Sequence, residues 1–151
     1  MNFEKERDTA VLLRLSAVNN AIPRSGETTN KPVWSRINGA LKSAFLHGGS
    51  VDLTRFDDGR AIAWLDMSAL PGKFRLILNV ENQDPKEGLY EWWEPGDAPF
   101  RGVVRFGDDD WDARTVCSDL AVAQTVFLEF FETGELSQGI SSMLSVWSRR
   151  P

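Results

Sequence analysis

Two adjacent tryptophans, Trp92 and Trp93, set the strongest condition on how this chain folds. They lie in Y-E-W-W-E-P-G-D-A-P, residues 90–99, with Glu91 before them and Glu94 after them. Successive side chains of a β-strand point to opposite faces of the sheet. If this segment is a strand, either both sheet faces are covered or one indole stays at the surface. We expect the second arrangement. Parity does not decide which indole is exposed, and we favour Trp92 at the surface with Trp93 packed under helices.

Alternating apolar and polar residues predict strands over much of the chain. The clearest case is K-F-R-L-I-L-N-V, residues 73–80. The segment T-A-V-L-L-R-L-S-A-V also fits a helix, and we favour a strand because turn-forming residues follow it. The predicted strands are residues 9–18, 50–56, 60–67, 73–80, 89–94 and 101–106, with a further short extended piece at 112–116.

The segment from residue 32 to 49 instead repeats apolar residues at helical spacing. Its apolar face is formed by Trp34, Ile37, Leu41, Ala44 and Phe45. We predict Asn30 as the N-cap and Gly48 as the residue that ends the helix in a left-handed conformation. Residues 19–30, before this helix, are rich in turn-forming residues and predict a loop.

A second helix is predicted over residues 118–134, beginning at Ser118 or Asp119 and ending at Gly134. Sequential strands with short turns favour an antiparallel meander, and helices that are apolar on one side only must pack on a sheet. We therefore predict an α+β fold, with an antiparallel sheet of four to six strands and both helices on one face.

Size and composition predict a single domain over residues 1–151, because hydrophobic residues make up 42% and charged residues 26% of the chain. The single cysteine, Cys117, excludes an internal disulfide and fits a reducing compartment. The early apolar run is short and interrupted by Arg14, unlike a secretory signal. No stretch reaches the roughly 20 apolar residues of a membrane span. We expect a cytoplasmic protein.

Charge is concentrated in one part of the sequence. Residues 81–112 hold ten acidic and three basic side chains, a net charge of −7, so the rest carries +2 of the total of −5. Such a block repels nucleic acid and anionic membranes, and it speeds association with a basic protein. The alternative is a solvated face that serves solubility alone.

The sequence contains few groups that could form a catalytic or metal site. Asp108, Asp110 and Asp112 have the spacing of a calcium loop, but the glycine and the final glutamate of that motif are missing. Cys117 precedes a helix and has one possible histidine partner, His47, without a third orienting residue. We expect no metal and no cofactor.

Several segments resemble a group of small bacterial proteins that includes immunity proteins of polymorphic toxin and contact-dependent inhibition systems. The similarity is carried by P-V-W-S-R-I-N-G-A-L, H-G-G-S-V-D-L, K-F-R-L-I-L-N-V, Y-E-W-W-E-P-G and the C-terminal helix, within residues 32–136. It is most evident where that helix ends in Phe130, Phe131, Thr133 and Gly134. The resemblance implies an α+β protein that binds and neutralises a toxin domain, and it brings no catalytic residues.

These observations predict a non-enzymatic cytoplasmic binding protein, an immunity protein whose partner is a basic toxin domain. Two alternatives remain: a small enzyme that uses Glu91, Glu94 or Cys117, and a scaffold or assembly subunit. A deep pocket around Cys117 and His47 would favour the enzyme. The predicted partner-binding residues combine aromatic rings with an acidic rim. They are Glu91, Trp92, Glu94, Asp97, Asp108, Asp109, Asp110 and Trp111.

Overall fold

The structure, a computed structural model, describes residues 11–81, 88–136 and 143–145. Its strands in chain order are β1 (Val11–Asn19), β2 (Ser25–Asn30), β3 (Gly49–Asp57), β4 (Arg60–Leu70), β5 (Lys73–Val80), β6 (Leu89–Trp92), β7 (Val103–Phe106), β8 (Asp109–Asp112) and β9 (Met143–Ser145). Its helices are α1 (Trp34–His47) and α2 (Leu120–Thr133).

Within the described ranges, seven strands form one antiparallel sheet in the spatial order β2-β1-β3-β4-β5-β6-β9. Strands β7 and β8 pair separately as an antiparallel hairpin. The predicted α+β class is confirmed, and the predicted four to six strands for the sheet are corrected to seven.

The segment predicted as a loop contains β2, which pairs with β1 at one end of the sheet. Its sequence, S-G-E-T-T-N, has no apolar side chain. An edge strand that is mostly exposed can be polar on both faces. Asn30 ends this strand opposite Arg14, so it does not cap α1. The N-cap of α1 is Val33, whose side chain makes no capping hydrogen bond.

Both helices supply one layer of the core. Ile37, Leu41 and Ala44 of α1 are buried, and α2 buries its own apolar stripe, which includes Phe127. Helix α2 begins at Asp119, whose carboxylate accepts a hydrogen bond from the Ala121 amide at 3.0 Å. It ends at Gly134, as the sequence predicted, and Gly134 has the left-handed conformation. Gly48, which was predicted to have that conformation, ends α1 with φ 82° and ψ 163°, outside the left-handed helical region. Neither helix has the length and apolarity of a membrane span within the described residues.

Strand register defines the two faces of the sheet. Leu15, Leu53, Leu65 and Leu78 are successive neighbours across β1, β3, β4 and β5, and all belong to the core cluster that includes both helices. Alternation places the residues next to them in sequence on the opposite face. That face is covered near β5 by the β7–β8 hairpin, because Trp111 stacks on Arg75.

Candidate functional site

Both tryptophans of the opening segment are buried, Trp92 with 7% and Trp93 with 4% of its surface exposed. Trp92 belongs to the core cluster on the helix side of the sheet, together with the half-buried Tyr90. Trp93 follows β6 and lies beneath Arg114, whose guanidinium carbon is 5.1 Å from the centre of the indole ring. The prediction that Trp92 is exposed is therefore wrong, because both faces of the sheet are covered at this point.

A buried ion pair joins the hairpin side of β5 to β6. Arg75 and Glu91, each with a side chain only 5% exposed, form a salt bridge of 3.0 Å. The second carboxylate oxygen of Glu91 accepts a hydrogen bond from the Trp93 indole N–H at 3.1 Å. The Arg75 guanidinium also stacks on Trp111, 3.6 Å from the ring centre. Glu91 was predicted to contact a partner, but its burial assigns it to the interior.

A second buried arginine, Arg114, fixes the base of the hairpin and the preceding loop. Its guanidinium donates two hydrogen bonds to the Asp112 carboxylate, at 3.0 and 2.7 Å, and one to the Ala98 carbonyl at 3.3 Å. The hydrogen bonds from Arg114 hold the pKa of Asp112 below its usual value. Residues 94–101 and the hairpin are thus attached to the sheet by two arginines, each with its own carboxylate.

Part of this layer is exposed to solvent. We name it the hairpin surface, and its residues are Glu94, Asp97, Phe100, Val103, Asp108, Asp109 and Asp110. Phe100 is 59% and Val103 57% exposed, and single exposed apolar side chains are common in folded domains. Residues 94–112 carry six carboxylates and two arginines, a net charge of −4. The surface therefore combines exposed apolar side chains with a net negative charge, and two of its carboxylates, Glu94 and Asp110, are paired with arginines.

The predicted site residues separate into two groups. Asp97, Asp108, Asp109 and Asp110 are exposed and Glu94 is half-buried, whereas Glu91 and Trp92 are in the interior. The three aspartates at 108–110 lie at the tip of the hairpin, about 10 Å along its strands from its base near Glu94. Among the described residues, neither Asp108 nor Asp109 forms a salt bridge.

Trp111, also predicted to contact a partner, is half-buried and stacks on Arg75, so it anchors the hairpin. The sequence prediction did not include Phe100 or Val103 in the site. A signal for Val103 existed in V-V-R-F, because Val104 and Phe106 share the inner face of β7 and leave Val103 with Arg105 on the outer face.

Cys117 and His47, the candidate nucleophile and base, lie in different surroundings. Cys117 is buried beside Phe74, with which it exchanges two backbone hydrogen bonds of 2.9 Å, and burial raises the pKa of its thiol. His47 is exposed at the end of α1. Three cavities among the described residues, of about 450, 390 and 360 Å³, are lined by residues other than Cys117 and His47.

Comparison with known proteins adds information on family and fold. A model of DUF6911, a family of unknown function, matches residues 15–140. The chain is similar to the crystal structure of a hypothetical protein from Neisseria gonorrhoeae, with a TM-score of 0.60 and 10% sequence identity. The match covers 85% of this chain and 92% of the other, and at this identity it concerns the fold alone. No curated protein is similar to the sequence.

Proposed function

We propose that this chain, which belongs to the DUF6911 family of unknown function, is an intracellular binding protein that neutralises a cognate toxin domain by direct contact. The observation that carries this proposal is the hairpin surface. Exposed Phe100 and Val103 supply apolar area for a tight contact, and the net negative charge of residues 94–112 attracts a basic partner. Basic surfaces are expected of toxin domains that act on nucleic acid.

Rigidity of this layer supports the same proposal. A partner surface that is already ordered loses little conformational entropy on binding. The stacking of Arg75 on Trp111 and the hydrogen bond from Arg114 to the Ala98 carbonyl attach the hairpin and residues 94–101 to the rest of the domain before any partner arrives. On the exposed side, Glu94 adds a pair with Arg101, whose two hydrogen bonds are 2.7 and 3.2 Å long.

The test is to express, in a bacterial host, the product of each gene that adjoins the gene of this chain. If the proposal is correct, one of them arrests growth, co-expression of this chain restores growth, and calorimetry shows a direct complex of the two purified proteins. Adjoining products that cause no growth arrest, or a toxic one that this chain neither binds nor neutralises, would rule out the proposal.

Charge variants then locate the interface. Asp108→Asn with Asp109→Asn should weaken the complex about tenfold, mainly through slower association, and the loss should shrink at high salt. Asp57→Asn with Asp58→Asn is the matched control, because it removes two exposed acids from the β3–β4 turn. Equal effects of the two double variants would mean that net charge, and not the hairpin surface, determines binding.

Phe100→Ala tests the apolar part of the hairpin surface separately. Loss of an interface anchor should weaken the complex about tenfold or more, while the urea midpoint of the free protein stays nearly unchanged because the ring is already exposed. Unaltered affinity in this variant would move the contact away from the hairpin surface.

A further inference from the structure

The sheet face opposite the helices carries two carboxylates side by side at its centre. Asp52 of β3 and Asp66 of β4 are direct neighbours in the antiparallel register. On the outer sides of this pair lie Ser16 of β1, next to Asp52, and Ile77 of β5, next to Asp66. This row of four residues has two acids in the middle and no base. Like charges directly opposite each other destabilise a sheet.

Asp52 and Asp66 have different neighbours. The Thr54 hydroxyl donates a hydrogen bond to Asp52, and Arg14, opposite Thr54 on β1, attracts the charge of Asp52. Asp66 has an apolar neighbour, Ile77, on its other side. Asp52 is therefore the better placed of the two to remain ionised.

Other charged groups on this face are remote from Asp66 or already paired. Among the described strands, alternation places on this face Arg14 of β1, Lys73 and Arg75 of β5, and Glu91 of β6. Arg75 is held by Glu91. Lys73 is four residues along β5 from Ile77, a distance of about 13 Å. Apart from Arg14, which acts on Asp52, no cation of these strands offsets the pair.

We propose that Asp52 and Asp66 form one proton-binding unit, in which Asp66 takes up a proton in mildly acidic solution while Asp52 stays ionised. Burial, and next the charge of Asp52, raise the pKa of Asp66 to about 6. Burial also raises the pKa of Asp52, against the lowering effects of the Thr54 hydrogen bond and of Arg14. The protonated Asp66 carboxyl no longer repels Asp52, so proton uptake strengthens the pairing of the two central strands. This inference does not depend on the proposed function.

The test is a titration of the whole chain, following the side-chain carboxyl carbons of aspartate by nuclear magnetic resonance between pH 3 and 8. The Asp66 signal should change with a midpoint of about 6. The Asp52 signal should show a smaller change at the same pH, since it senses the neighbouring charge. The Asp52 measurement needs no variant, so it tests the coupling of the two carboxylates even if the substituted proteins fail to fold.

In Asp52→Asn the midpoint of Asp66 should fall towards, but not reach, the ordinary aspartate value, because burial persists after the neighbouring charge is removed. Asp58→Asn, which removes an exposed acid from the turn between β3 and β4, should leave the midpoint of Asp66 unchanged. A midpoint of Asp66 near 4 in the unmodified chain, an Asp52 signal insensitive to Asp66, or the same midpoint in Asp52→Asn would each overturn the proposal.

Discussion

Replacing Glu91 by glutamine tests the buried ion pair on which the hairpin layer depends. The substitution keeps the shape of the side chain and one carbonyl oxygen that can accept the Trp93 indole N–H, but it removes the negative charge. The Arg75 guanidinium, whose side chain is 5% exposed, then loses the charge of Glu91 while it stays buried. The cost of the variant is the loss of this charge in a buried site.

The magnitude follows from the burial of both partners. Breaking a buried pair by removing one partner costs about 3–5 kcal/mol. The stacking of Arg75 on Trp111, worth about 1 kcal/mol, and the oxygen that glutamine retains place the expected loss at the lower end, about 3 kcal/mol. Natural domains have about 5–15 kcal/mol of stability, so this loss is a large part of the total.

Urea denaturation followed by tryptophan fluorescence measures the free energy of unfolding of the variant and of the unmodified chain. Glu94→Gln is the matched control, because its pair with Arg101 is 35% and 48% exposed and should contribute less than about 1 kcal/mol. Joint replacement by Arg75→Met and Glu91→Leu should recover most of the loss, since no charge is then left unpaired. A loss below about 1 kcal/mol for Glu91→Gln would refute the reasoning.

Two further predictions concern the sheet. Gly49→Ala should destabilise the protein by about 3 kcal/mol or more, because the added Cβ would lie 1.9 Å from the Val18 carbonyl oxygen. Gly39→Ala, whose Cβ would enter open space on α1, should stabilise it by about 0.5–1 kcal/mol. Urea midpoints compare the two variants, and similar effects would contradict the close contact at Gly49. Asp66→Asn should stabilise the protein by about 1–2 kcal/mol at pH 7.5 and by much less at pH 4.5, a magnitude reduced from the full pKa shift because the side chain is partly solvated. The sign follows from a folded-state pKa raised to about 6, which makes the unmodified chain lose stability as pH rises from about 4 through 6, so an equal gain at both pH values would contradict it.

Elements with a clear hydrophobic period could be predicted from the sequence. The strand at residues 73–80 and the helix beginning at Trp34 both show a periodic apolar face, and the structure contains them. Strand β2 was missed because an edge strand without apolar residues has no such period. Its assignment depends on pairing with β1, a contact that local sequence does not encode.

The candidate site was predicted only in part, because contacts between distant segments are not encoded by local sequence. The acidic residues at 108–110 are exposed, as expected from a charged turn. Glutamate is usually a surface residue. Only the pairing of β6 with β5 brings Glu91 to Arg75, 16 positions earlier in the chain. The same limit applies to Trp92 and Trp93, because parity separates their faces but cannot show that a later hairpin covers the second one.

Consecutive tryptophans in two different layers also affect how the protein can come apart. A single peptide bond joins an indole packed on the helix side to an indole packed beneath the arginine-anchored hairpin. Separation of the hairpin layer would uncover Trp93, and Trp93 is joined directly to Trp92, which is fixed in the core. The backbone amides of both layers should then exchange with solvent as one cooperative unit, and the outer layer behaves as a fixed part of the domain.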